Sequence, residues 1–99
     1  MREAIGDLQG AIANYEKSLA IGTKLAAADP QNASAQQDLS VTHKELGECL
    51  GNAGDRDRAV ELLTNAEARH AELARRDPTN ETLQSELGQI RESLDGFHH

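Results

Sequence analysis

"ADPQNASAQQDL" occupies Ala28–Leu39, and 48 residues later the chain reads "RDPTNETLQSEL" over Arg76–Leu87. Asp-Pro, Asn, Gln and Leu stand at the same places in both phrases. Asp29 and Asp77 each precede a proline, whose ring pushes the residue before it out of the α region, so each phrase closes a helix. Asn32 and Asn80 follow as N-caps, residues whose side-chain oxygen accepts a free backbone N–H of the next helix's first turn. Each phrase therefore reads as a joint between two helices.

The self-similarity extends beyond the joints. At the same shift Gly6-Asp7 falls on Gly54-Asp55, Ile12 on Val60, Leu25-Ala26 on Leu73-Ala74, and Leu46 on Leu94. A fixed period of this size is the signature of stacked repeats. Gly54 can take the left-handed conformation that closes a helix, and Asp55 can cap the next; Gly6-Asp7 carries the same signal. The punctuation predicts four helices, at about residues 4–28, 33–51, 56–76 and 81–95. Their apolar spacing agrees. Ile5, Leu8, Ile12, Tyr15, Leu19 and Ala26 form one stripe on the first, and Leu83, Leu87, Ile90, Leu94 and Phe97 one on the fourth. Loops of about 3–5 residues make neighbouring helices antiparallel.

Composition bounds the partners. The chain has 99 residues, 37% of them hydrophobic, with Tyr15 and Phe97 the only aromatics. Leu, Ala, Glu, Gln and Arg are strong helix formers, and no alternating β-branched run reads as a strand. The class is all-α. A formal charge of −7 repels phosphate and argues against nucleic acid or an anionic membrane as partner. No apolar run reaches the ~20 residues of a membrane span. The polar start carries no signal peptide, and the lone Cys49 fits a reducing, cytoplasmic setting. His98 and His99 look like the remnant of a purification tag.

The central stretch from His43, "HKELGECLGNAGDRDRAVELLTNA", resembles a tetratricopeptide repeat. The family's slots are filled here by His43, Leu46-Gly47, Leu50, the Gly54-Asp55 turn, Ala59, Leu63 and Ala66. Ala11, Tyr15 and Ser18 offer the second half of a preceding repeat, and Arg91 and Leu94 a degraded first half of a following one, with Asp95 where glycine would sit. The usual period is 34; the surplus is about seven residues per helix, close to two turns of ~3.6, so each helix can lengthen and keep its buried face in register. The resemblance implies a long-helix variant, similar to extended repeats of bacterial arrays. It implies an α-α superhelix in which residues 1–97 are one domain of half, full and half repeats, cut from a longer array. Gly47 and Ala59 would let paired helices approach closely. With two repeat equivalents and no evident cap, the isolated chain is expected to self-associate.

No constellation for chemistry emerges. His43 stands six residues from Cys49 and His70 has no partner His nearby, which does not match zinc-ligand spacing. His43 reads as a half-buried packing residue and His70 as a surface one. Cys49 reads as a small buried thiol, with Glu45 and Glu48 raising its pKa rather than activating it. The glycines lack the strand and Gly-Lys-Ser/Thr of a phosphate loop. Glu72 with Arg75 and Arg76, and Glu61 near Arg58, read as surface charge pairs. No cofactor, metal or catalytic residue is expected.

What remains is a surface. In tetratricopeptide arrays the first helix of each pair lines a concave groove that holds peptides. By that resemblance the groove-facing residues are Val41, Lys44, Glu45, Glu48 and Asn52 on the second helix, with Gln89 and Glu92 on the fourth. Only Lys44 and Asn52 suit a peptide carboxylate, and Glu48 would repel one. The alternative is that these are ordinary solvated residues of a spacer repeat. The expected function is a non-catalytic module binding a protein or peptide; the rival is a self-assembly element stacking through its terminal helices.

Overall fold

The computed structural model describes the backbone of residues 2–97 and the side chains from Asp7 to Phe97; His98 and His99 lie outside it. Four helices follow one another: α1 (Arg2–Ala28), α2 (Ala33–Asn52), α3 (Arg56–Arg76) and α4 (Glu81–Gly96). Among the described residues there is no strand. The fold is an all-α run of helical hairpins, with helix bounds within two residues of those predicted.

The joints form as the sequence requires. Asn32 Oδ1 accepts from the Ala35 amide at 3.1 Å and Asn80 Oδ1 from the Leu83 amide at 3.2 Å. Asp55 caps α3 by accepting from the Arg58 amide at 3.3 Å. Gly54 sits at φ +92°, a conformation that costs a residue with a Cβ more than it costs glycine. Gly6-Asp7 does not repeat the turn of Gly54-Asp55: α1 runs through it unbroken, in keeping with the predicted helix at about 4–28. The dipeptide permits a reversal, but a reversal also needs two apolar helices packing across it, as α2 and α3 do at Gly54.

Each helix packs chiefly on its neighbours in the chain, α1 on α2, α2 on α3 and α3 on α4, with the α2–α3 pairing the most extensive. This is a stack, not a closed bundle in which α1 would return to α4. The molecule measures 43 × 32 × 20 Å, its least dimension matching two helix layers of ~10 Å. One cluster joins Leu46, Leu50, Ala59 and Leu62, with Ile12, Tyr15 and Leu19 of α1 laid over it. A second joins Leu63, Ala66, Ile90 and Leu94 between α3 and α4. Each fully buried leucine contributes roughly 2 kcal/mol. Gly47 is where α2 and α3 come closest: a Cβ there would lie 2.9 Å from Leu63 Cγ and 3.2 Å from the Ala59 carbonyl oxygen.

Of the apolar stripe read on α1, Ile5 lies outside the described side chains, Leu8, Ile12, Tyr15 and Leu19 are half-buried, and Ala26 is buried. The open apolar positions of α1 are instead Ile21 and Leu25, each 60% exposed.

Candidate functional site: two grooves and a buried polar clasp

Residues three and four apart share a helix face, so the spacing of α2 presents Gln37, Val41, Lys44, Glu48 and Asn52 along one side. This side meets α4. Gln37 Nε2 donates to Glu86 Oε1 at 3.0 Å, and the Ser93 hydroxyl donates to Glu48 Oε2 at 3.0 Å. Between the C-terminal ends of α2 and α4 lies a trough of about 300 Å³ lined by Glu48, Gly51, Asn52, Ser93, Gly96 and Phe97. Lys44 pairs with Glu48 at 3.5 Å. The trough thus holds a carboxylate, amide and hydroxyl groups and one aromatic ring.

The structure brings together only part of the residue set that the resemblance implied. Glu48 and Asn52 line the trough, Lys44 reaches it through Glu48, and Val41 is half-buried about two turns before Glu48. Gln89 and Glu92 are exposed on α4 outside it. Glu45 belongs elsewhere: it is the largest of the causes, followed by burial, that raise the Tyr15 phenol on α1 above its ordinary pKa. One helix presents different faces to different neighbours, and Glu45 falls on the α1 side.

His70 is overturned as a surface residue: it is fully buried, 0% exposed. Its Nε2 lies 2.8 Å from Glu86 Oε1, and its Nδ1 lies 2.5 Å from the Ser40 hydroxyl, which is itself 3.0 Å from the Ala66 carbonyl oxygen. Ser40 comes from α2, His70 from α3 and Glu86 from α4, so this chain of hydrogen bonds ties three helices. Serine, histidine and a carboxylate are the residue types of a nucleophilic relay. Here Ser40 and His70 are both 0% exposed, so the hydroxyl faces no solvent from which a substrate could arrive. The arrangement serves as a clasp. One signal of it was legible: His70 falls on the α3 stripe between Ala66 and Leu73, and a histidine on an apolar face needs polar partners. Which partners was not legible, because they come from other helices.

Other residues also depart from expectation. His43 is buried rather than half-buried, at 7% exposure, with Nδ1 donating to the Leu39 carbonyl at 2.9 Å. Burial pushes its pKa below the ordinary histidine value, and the nearby Arg69 charge adds to this. Cys49 is half-buried, not core; burial first, then Glu48 and Glu45, raises its thiol pKa. Arg58 pairs not with Glu61 but with Glu16 of α1, two bonds of 3.0 Å that hold Glu16 below the usual carboxylate range. Glu72 takes both Arg75 and Arg76 as expected. Among the described residues no cluster of His, Cys, Asp or Glu has metal-binding geometry, and no helix is long and apolar enough to cross a membrane.

A second, larger cleft of about 630 Å³ runs along the outer face of α3 to the Pro30 turn. Sequence reading did not anticipate it. Gln36 of α2 and Pro30 border it, while the Arg58–Glu16 contact between α1 and α3 lies nearer the start of α3.

Compared with family models, curated proteins and solved structures, the chain matches none.

Proposed function

We propose that this chain is a non-catalytic interaction module, an extended tetratricopeptide-like hairpin stack that presents the α2–α4 trough to a peptide or helix of a protein partner. The observation that carries the reading is the trough itself. Two helices related by the 48-residue period lie side by side, and Glu48, Asn52, Ser93 and Phe97 converge between their ends. Such a site combines an aromatic contact with a few placed polar groups, as recognition grooves do. A reducing, cytoplasmic setting suits the single free thiol. The test is to pan a displayed peptide library on the wild-type chain and on Ser93→Arg, which fills the trough from an already half-exposed position. Enriched peptides that bind only the wild type support the reading; peptides that bind both equally sink it.

A second reading, self-assembly, is favoured by α1. Its exposed Ile21 and Leu25 are the 48-shifted counterparts of Arg69 and Leu73. On α3 that face is partly covered by α2: Arg69 bonds Gln36, the Ala66 carbonyl bonds Ser40, and Leu73 is buried, while part of Arg69 stays open. An α2-like helix of a second copy would cover the same face on α1. Light scattering over a range of concentrations should then give a mass above the monomer that Leu25→Lys returns to the monomer. A wild-type monomer at every concentration removes this reading.

A further inference from the structure

The cleft along α3 lies apart from the trough, and its chemistry differs. Its floor is Leu73, Ala68 and Pro30, and Arg69 projects into it. Arg69 is held on two sides, Nε donating to Asn65 Oδ1 at 2.7 Å and one terminal nitrogen to Gln36 Oε1 at 3.2 Å. Both acceptors are neutral amides. Among the described residues no carboxylate stands within ion-pair distance of Arg69. The guanidinium has five N–H groups in a rigid fork, so most remain for a ligand while the two amides fix its orientation.

The charges around it are unevenly paired. One turn on, Glu72 accepts from both Arg75 and Arg76 and is taken up by them rather than by Arg69. Asp77, just past the helix end, is engaged by Asn80 at 3.2 Å. Glu61 lies at the opposite end of the cleft, two helical turns before Arg69. Arg69 is thus the guanidinium of the cleft without a carboxylate partner among the described residues, although the lining as a whole balances Arg69 and Arg76 against Glu61 and Glu72.

We propose that this cleft is a second docking site, for a short acidic peptide segment whose carboxylate engages Arg69 while a neighbouring aliphatic side chain covers the exposed Ala68 and Pro30. A carboxylate on a pre-oriented guanidinium makes charge-assisted hydrogen bonds, about twice as strong as neutral ones. A volume of about 630 Å³ lies in the range of ligand sites. This site does not depend on the trough reading.

The experiment is an amide-resolved NMR titration with the peptide acetyl-Ala-Leu-Asp-Leu-Ala-amide and its lysine analogue, acetyl-Ala-Leu-Lys-Leu-Ala-amide. The aspartyl peptide should shift the amides from Ala68 to Leu73, and the lysyl peptide should not. Arg69→Gln should weaken binding about five-fold or more with the spectrum otherwise kept, and the weakening should shrink as salt is added to the wild type. Because Arg69 also bonds Gln36, Ala68→Glu is the second variant; it leaves that bond in place and should block the cleft by charge and bulk. The proposal is overturned by equal shifts from both peptides, by no shift at peptide concentrations up to about 10 mM, or by unchanged binding in Ala68→Glu.

Discussion

α1 and α3 are the same helix in sequence terms, related by the 48-residue shift, yet they live differently. α3 lies between α2 and α4 and buries Ala59, Leu62, Leu63, Ala66, His70, Leu73 and Ala74. Of the described α1 side chains only Ala26 is fully buried. The sharpest pair is Leu73 at 8% exposure against Leu25 at 60%. Even the clasp has its counterpart: Gly22 stands where His70 does, and a Cβ there would meet Leu39 at 3.3 Å. Burial in a stack is set by which neighbours a helix has, because each unit contacts only those beside it.

The largest effect expected breaks the contact that α2 makes with α3. Gly47→Leu must push a whole side chain into space where the Cβ alone would lie 2.9 Å from Leu63. It should cost about 3 kcal/mol or more, or abolish folding, in urea melts followed by circular dichroism. Gly88→Ala on α4 is the control, since a Cβ there would meet nothing within 4 Å; it should stabilise by about 0.5–1 kcal/mol through helix propensity. Equal outcomes for the two glycines would refute the close α2–α3 approach. Next in size, Leu73→Ala should cost about 2–3 kcal/mol and Leu25→Ala under about 0.5 kcal/mol. A substantial loss from Leu25→Ala would mean that its face is covered in solution, which would favour the self-assembly reading.

The smallest effect is the pH dependence from His43. Burial lowers its folded pKa below the unfolded value near 6.5. The neutral form is therefore favoured by folding, and the stability it contributes is present above the unfolded pKa. As pH falls through the folded pKa that contribution is lost, because the unfolded state binds the proton more readily. Urea midpoints should drop between pH 7 and pH 5, and His43→Gln should flatten part of the slope. An unchanged slope would assign the acid sensitivity to other groups.

Most of the fold was legible and half the site was not, for one reason. Helix ends depend on local chemistry: Pro30 and Pro78 limit the residue before them, Asn32, Asn80 and Asp55 cap the residues after them, and Gly54 takes φ +92°. Those effects reach only three or four residues along the chain. Gly6-Asp7 shows their limit, since the same dipeptide stays helical within α1. The candidate trough was legible as far as α2 spacing carried it, to Lys44, Glu48 and Asn52. Ser93 and Phe97 join it because α4 delivers them from 45 residues or so away in sequence.

By itself, then, the sequence determined four helices, their caps, their antiparallel joints and the glycine that lets α2 and α3 touch. The tertiary structure alone decided that His70 is buried between Ser40 and Glu86, that Arg58 reaches across to Glu16, that Glu45 faces Tyr15, and that Ile21 and Leu25 stand open. Caps and turns are satisfied within one turn of chain, whereas a side chain's burial and its hydrogen-bond partner depend on which helix stacking places opposite it.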